Sequence, residues 1–143
     1  MTNTYETTFN GQPFRFVAIK GHPGETFIPY DDLINAFSTA MPGIPKELHH
    51  TVITDGAREH FGAEDKQRAL IDGVIVPVIN LMAVITIVQG LNGAIRENKA
   101  FRKAAKGFRA FETFFAENIG KAQRVLGVVP LWARMGLSPA VWY

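Results

Sequence analysis

The chain has 143 residues, of which 47% are hydrophobic and 20% charged, values that suit one domain with a buried core and exclude disorder along the whole length. Its formal net charge of +2 is too small by itself to indicate a nucleic-acid-binding protein. The absence of cysteine excludes disulfide bonds and thiolate metal sites.

Residues 7–29 are typical of a small β-meander. The dipeptide Asn10-Gly11 predicts a two-residue hairpin turn, because both residues tolerate a positive φ. Apolar side chains alternate through residues 14–19, which predicts a strand, and residues 25–29 predict a second, shorter one. We therefore expect antiparallel strands at the start of the domain.

A helix and a charged segment are predicted next. Asp31 or Asp32 can cap a helix that runs to about Ala40. The charged residues and glycines of 43–66 indicate an exposed stretch. Within it, Thr51–Thr54 could form a strand and Ala57–Phe61 a helical turn.

Residues 74–91, VIVPVINLMAVITIVQGL, form an uncharged run that could span a membrane or build a core. The run is slightly shorter than the roughly 20 apolar residues that a spanning helix needs, and Pro77 and Asn80 interrupt it. The preceding Asp72-Gly73 is a second hairpin dipeptide. We therefore predict a buried strand that meets a buried helix at Asn80, which caps the helix, rather than a membrane span.

Gly90 and Gly93 are expected to weaken and end this helix. From Asn98 a longer amphipathic helix is predicted, with Gly120 as its end. Its apolar side chains recur every three or four residues, which predicts a core face, with self-association as the alternative: Phe101, Ala104, Phe108, Phe111 and Phe115. Its cations recur in the same way on a different face: Lys99, Arg102, Lys103, Lys106 and Arg109.

These five cations are the candidate DNA-binding residues. Several cations on one helix suit contacts with DNA phosphates, although such a row is more often the solvated face of an amphipathic helix. Few neighbouring side chains are suited to reading bases, since Asn98 is the only nearby amide. DNA binding is therefore the alternative hypothesis and not the first one.

The carboxy-terminal segment, residues 121–143, is apolar and aromatic, and its prolines permit only short helices. Tryptophan, tyrosine and methionine are enriched at protein interfaces. We therefore predict a protein-binding tail, with the alternative that the tail folds back over its own domain. The candidate protein-binding residues are Leu131, Trp132, Met135, Trp142 and Tyr143.

These patterns predict an α+β fold over residues 1–120, in which a small antiparallel sheet of hairpins packs against three to four helices. Residues 121–143 would form an aromatic tail. The amino terminus has no basic segment followed by an apolar one, so no secretion signal is predicted.

Catalytic motifs are missing from the sequence. It has no HExxH, no GxSxG, no EF-hand spacing and no glycine-rich phosphate loop, so we expect neither an enzyme nor a bound cofactor or metal. A surface metal site at Glu59, His60, Glu64 and Asp65 is the alternative to a solvated loop there.

Three stretches carry a family resemblance: FNGQPFRFVAIKGHPGETFIPYDDLINAF, ALIDGVIVPVINLMAVITIV and AIRENKAFRKAAKGFRAFETFF. They give a hairpin with a strand and helix, then a strand leading into a helix, then a basic aromatic helix. This order resembles the amino-terminal domain of phage antirepressors and, more distantly, the BRO-type amino-terminal domain of viral and phage regulators. The matching positions within residues 7–118 are Phe9, Gly11, Pro77, Leu81, Phe101 and Arg102.

The resemblance implies a non-catalytic regulator that is encoded by a phage and acts in the cytoplasm of the bacterial host. Antirepressors inactivate a repressor by direct contact, and BRO-type domains are associated with DNA binding. We therefore expect an inhibitor of a repressor-like host or phage protein, with DNA binding through residues 98–118 as the alternative. Related domains often self-associate, so a homo-oligomer is expected, without a membrane partner.

Overall fold

The computed structural model describes residues 3–22, 24–61 and 67–128. The strands are β1 (Asn3–Phe9), β2 (Gln12–Ala18), β3 (Phe27–Pro29), β4 (Gln67–Ile71) and β5 (Val74–Asn80). The helices are α1 (Tyr30–Ala40), α2 (Lys46–Phe61), α3 (Leu81–Glu97), the single-turn α4 (Lys99–Arg102) and α5 (Ala105–Leu126). All strand pairs are antiparallel, in the order β1-β2-β3-β5-β4. The predicted α+β fold is confirmed.

Both predicted hairpins are present. Asn10 and Gly11 adopt φ values of 49° and 79° between β1 and β2, and Asp72 and Gly73 adopt 50° and 81° between β4 and β5. Positive φ at both turn positions is typical of a type I′ turn, whose twist matches the twist of the two strands. The turns therefore fix the register of each pair.

One face of the sheet packs against the helices. Phe14, Phe16 and Ile79 are at most 4% exposed and join residues of α1, α3 and α5 in the main core. The ring of Phe111 in α5 lies 5.9 Å from that of Phe14 and 5.2 Å from that of Phe37, measured between centroids. The predicted aromatic core face is confirmed, because all four of its phenylalanines are buried: Phe101, Phe108, Phe111 and Phe115.

The uncharged run at 74–91 divides into a strand and a helix, as predicted. Asn80 ends β5, and its side-chain oxygen accepts a 2.8 Å hydrogen bond from the backbone N–H of Met82, which caps α3. Within the described part of the chain, no helix is long and apolar enough to cross a membrane. Burial was predicted for the whole run, which is wrong at its start: Val74 and Ile75 are 59% and 66% exposed, because they lie at the end of β5 far from α3.

Residues 46–61 form one helix, α2, so the strand expected at Thr51–Thr54 is wrong. His49 and Ile53, four residues apart, are its buried side chains within residues 46–55, and this sparse pattern gave little helical signal. The helix packs against α1 and α3. Tertiary contacts therefore stabilise it more than an apolar repeat of its own.

Two helices continue through glycines that were expected to end them. α3 passes through Gly90 and Gly93, and α5 passes through Gly120. A glycine within a helix costs about 1 kcal/mol, which is less than the burial of a leucine such as Leu126 contributes. α5 ends instead at Gly127, whose φ of 69° is typical of a left-handed helix cap.

The helix predicted from Asn98 is divided into α4 and α5. The backbone N–H of Ala104 donates a 3.0 Å hydrogen bond to the carbonyl of Phe101, which closes a turn between the two helices. Phe101 borders residues of α2 and α3, whereas Phe111 and Phe115 pack against rings of the sheet. The two helices therefore bury their aromatic rings against different elements.

The start of α1 also differs from the prediction. Pro29 occupies the cap position, and the helix has no side-chain cap, so neither Asp31 nor Asp32 serves as one. Asp32 instead accepts hydrogen bonds from the backbone and side chain of Arg15 in β2. A long-range ion pair thus replaces the local cap that was expected.

Candidate functional site

The five predicted DNA-binding cations are all exposed, but they do not form one helical row. Lys99 and Arg102 belong to α4, Lys103 lies in the turn after it, and Lys106 and Arg109 lie at the start of α5. The turn at residues 103–104 interrupts the stripe that one continuous helix would have produced. The arrangement is a cluster of cations around a helix junction.

This junction carries one more exposed cation, Arg96 in the last turn of α3. Sequence reasoning missed Arg96 because Gly90 and Gly93 were expected to end that helix. The six cations from Arg96 to Arg109 are called the basic junction below. Only Arg109 pairs with a described carboxylate, Glu112, at 3.5 Å, so the other five charges have no ion-pair partner among the described residues and suit a polyanion.

The end of the β4–β5 hairpin is a second candidate surface. Leu70, Val74 and Ile75 are 56%, 59% and 66% exposed and are called the apolar hairpin patch. Leu70 and Ile75 are register partners on one face, whereas Val74, the partner of Ile71, lies beside the turn on the opposite face. Of the five large apolar side chains that are exposed in the described part of the chain, three belong to this patch. Such clustering marks an interaction surface more often than scattered apolar residues do.

β4 is an edge strand, because β5 is its only partner in the described sheet. An edge strand presents unpaired backbone N–H and C=O groups, to which another chain can add a strand. The apolar hairpin patch therefore combines exposed apolar side chains with a backbone edge that no other described strand occupies. Sequence patterns did not predict this surface, because burial was expected for residues 74–79.

The candidate protein-binding residues of the tail lie outside the residues that the structure describes: Leu131, Trp132, Met135, Trp142 and Tyr143. The described beginning of this segment continues α5, with Ala122 and Leu126 buried in the main core. The side chains of Glu59, His60, Glu64 and Asp65 are also outside the described part. Among the described residues, no group of three histidines or carboxylates is placed to hold a metal ion.

The described histidines have structural contacts. The Nε2 atom of His49 lies 3.4 Å from the carbonyl oxygen of Met41, and His49 is 2% exposed. His50 Nδ1 lies 3.0 Å from the hydroxyl of Tyr30. His22 Nδ1 lies 3.0 Å from the carboxylate of Glu25. These pairs tie α2 to the end and start of α1, and close the loop before β3.

Burial lowers the pKa of His49 from the ordinary value of 6.5, because the folded core disfavours the charged imidazolium. The unfolded chain therefore binds a proton at a higher pH than the folded chain does. We expect the free energy of unfolding to be undiminished above about pH 6.5 and to fall as the pH drops from there towards the lowered pKa. Urea unfolding at a series of pH values measures this fall.

The matched variants are His49→Gln and His22→Gln. The first should flatten the acid limb of the stability profile, since the titrating buried group is gone. The second removes a histidine near the surface and should leave the contribution of His49 in place. An acid limb that is unchanged by His49→Gln would show that another group causes it.

No protein-family model, curated protein or solved structure matches this chain. The candidate surfaces are therefore judged by their own chemistry.

Proposed function

We propose that this protein is a phage-encoded regulator of the antirepressor type, which binds and inactivates a repressor-like protein of the host or phage without catalysis. It acts in the cytoplasm of the bacterial cell, where such repressors work. The order of the elements supports the proposal: a hairpin, a short strand and a helix, then a second hairpin and helix, then basic aromatic helices, with α2 inserted before the second hairpin. The resemblance in sequence implies this order except for α2.

The apolar hairpin patch is the observation that carries this proposal. Burying a leucine, valine or isoleucine side chain completely contributes about 1.5–3 kcal/mol, so the exposed parts of these three residues can supply a central part of an interface. The edge of β4 that no second described strand pairs with adds backbone hydrogen bonds and sets the direction of the partner strand. A repressor that lends a strand to this edge would be held away from its operator.

The same edge also suits a second copy of the chain, because antiparallel pairing of β4 with itself is symmetric. Homo-oligomer formation and partner binding would then use one surface and compete. Sedimentation analysis over a range of concentrations measures this competition. Addition of the partner should shift a homo-oligomer towards a complex of the two proteins.

We expect Ile75→Glu to weaken partner binding at least about tenfold, because it places a charge where apolar area must be buried. The measurement is affinity capture from a lysogenic bacterium, followed by titration of the captured repressor-like protein with each variant.

Val125→Glu is the matched control, since Val125 on α5 is also 66% exposed and the change in charge is identical. Equal losses for the two variants would mean that charge alone, and not the apolar hairpin patch, determines binding.

DNA binding is the second candidate function, and the exposed basic junction favours it. Cations that release condensed counterions from DNA give an affinity that falls steeply with salt. Replacing Arg102 and Lys106 by glutamine should flatten the slope of log affinity against log salt concentration by about 2, if each contacts one phosphate. Fluorescence anisotropy with a labelled duplex measures the slope.

The matched control replaces Lys121 and Arg124 by glutamine. Both residues are exposed on α5 beyond the basic junction, and the loss of charge is the same. If both double variants flatten the slope equally, binding reflects total charge and the basic junction is not a site. Absence of binding at low salt would end this second candidate.

A further inference from the structure

The face of the sheet opposite the main core is also apolar and buried. Side chains alternate along a strand, so Val17 and Val78 point away from the face that holds Phe16 and Ile79. The second-face cluster consists of Val17, Phe27, Ala69, Ile71 and Val78, each at most 5% exposed.

Nothing in the described helices accounts for this burial. The core residues of α1, α3 and α5 all belong to the main core on the other face. Every described apolar member of the second-face cluster, including the partly buried Ile19 and Val76, comes from a strand or the residue next to one. Outside the strands, the ring of His22 covers part of Phe27, with 5.5 Å between centroids. Val17, Ala69 and Ile71 still need a further cover beyond the sheet itself.

The chain supplies an apolar segment for this cover. Residues 129–143, VPLWARMGLSPAVWY, include one charged residue, Arg134, and both tryptophans of the chain. The internal segment outside the described part, residues 62–66 with the sequence GAEDK, carries three charges in five residues and is unsuited to an apolar face.

The described chain ends at Val128, close to the sheet, so residues 129–143 begin beside the sheet. The backbone N–H of Val128 donates a 3.1 Å hydrogen bond to the carbonyl of Gln123. Gln123, which is 2% exposed, borders a small cavity with Thr26 and Asn80. Thr26 directly precedes Phe27 of the second-face cluster, and Asn80 is the register partner of Phe27.

Residues 129–143 are also long enough to cross the sheet. Fifteen residues reach about 50 Å when extended and about 22 Å as a helix. A sheet of five strands is roughly 20 Å wide, at about 4.8 Å between neighbouring strands. Either conformation can cross the second face.

We infer that residues 129–143 pack across the second face of the sheet in the same molecule and complete the core there. Composition alone assigns the apolar residues of this segment, such as Trp132 and Trp142, to an interface with a partner. In this arrangement they pack instead on the sheet of their own molecule. This inference does not depend on the proposed function, because the apolar hairpin patch lies at the exposed end of the sheet.

The test labels a single thiol placed on either face of β4. The chain has no cysteine, so Ala69→Cys on the second face and Leu70→Cys on the other face each give one reactive group. Ala69 is 3% and Leu70 56% exposed. Ending the chain at Val128 should accelerate maleimide labelling of Ala69→Cys by about tenfold or more, and should change the rate for Leu70→Cys by less than about twofold.

A second measurement uses the full chain, in case the shortened chain does not fold. Tryptophan fluorescence reports only on residues 129–143, because both tryptophans lie there. We expect blue-shifted emission with little acrylamide quenching, unchanged on dilution. Ala69→Glu should shift the emission to the red and Leu70→Glu should not.

Four results would overturn the inference, and the first three do not involve dilution. These three are solvent-like tryptophan emission in the full chain, equal effects of Ala69→Glu and Leu70→Glu, and protection of the Ala69→Cys thiol that persists when the chain ends at Val128 and folds. Protection or blue-shifted emission that disappears on dilution would show that a second copy covers the face, which would also contradict packing within one molecule.

Discussion

Replacing Gly107 by alanine is expected to reduce the free energy of unfolding by about 3 kcal/mol or more. Gly107 lies in the first turn of α5, where the helix passes the carboxy-terminal end of α1. A Cβ atom at this position would overlap the carbonyl oxygen of Ala40 and lie 2.8 Å from its carbon. Backbone atoms cannot move aside as a flexible side chain can, so α5 must shift and loosen the aromatic core.

Gly93→Ala is the control for this prediction. Gly93 is also within a helix, α3, but nothing lies within 4 Å of the position that its Cβ would take. Alanine there should raise the free energy of unfolding by about 0.5–1 kcal/mol, because it restricts the unfolded chain. Urea unfolding measures both variants. An increase in the free energy of unfolding for both variants would show that helix propensity, and not the contact with Ala40, governs the effect.

Replacing Asp32 by alanine is expected to reduce the free energy of unfolding by about 3 kcal/mol, the second largest loss that we predict. The Asp32 carboxylate accepts bonds of 2.9 Å from the backbone N–H of Arg15, 2.9 Å from its Nε and 2.8 Å from its Nη2. The side chain of Asp32 is 6% exposed and that of Arg15 is 22% exposed. The hydrogen bond to Asp32 raises the pKa of Arg15. Removing the carboxylate leaves a poorly hydrated guanidinium and one backbone donor without their acceptor.

Asp31→Ala provides the comparison for Asp32→Ala. Asp31 is the exposed neighbour in the same first turn of α1, so its loss should cost only the interaction with the helix dipole, about 0.3–1 kcal/mol. The double variant Arg15→Met/Asp32→Leu should regain part of the stability, since it removes both charges together. If Asp31→Ala and Asp32→Ala are equally destabilising, the ion pair with Arg15 contributes little.

Local signals in the sequence were sufficient for the hairpins and for the strand-to-helix junction. Asn10-Gly11 and Asp72-Gly73 are turns because of backbone conformations that few other dipeptides adopt. Asn80 caps α3 because its side chain replaces a missing backbone acceptor. Each of these features depends on neighbouring residues alone, which is why the fold class could be predicted.

Features that depend on distant contacts could not be predicted in this way. Within residues 46–55 the helix α2 buries only His49 and Ile53, and it packs on α1 and α3. Asp32 resembles a helix cap in the sequence, yet its partner is seventeen residues away in β2. Gly90 and Gly120 resemble helix ends, but the packing of the following turns outweighs the cost of a glycine.

The two candidate surfaces also differ in how far the sequence predicts them. The cations of the basic junction are visible in the sequence, because charge is a property of each residue, but their division between two helices depends on where the chain turns. The apolar hairpin patch is invisible in the sequence, because an apolar strand next to a tight turn has the same pattern whether or not a helix covers it.

Release of operator DNA from a repressor tests the proposed function most directly. The repressor-like protein captured from a lysogenic bacterium would be bound to a labelled operator fragment, and the fraction bound would be followed as this protein is added. We predict that the wild-type chain and Val125→Glu release the operator at similar concentrations, while Ile75→Glu requires at least about ten times more. Retention of the operator at every concentration of the wild-type chain, or equal release by Ile75→Glu, would contradict the account.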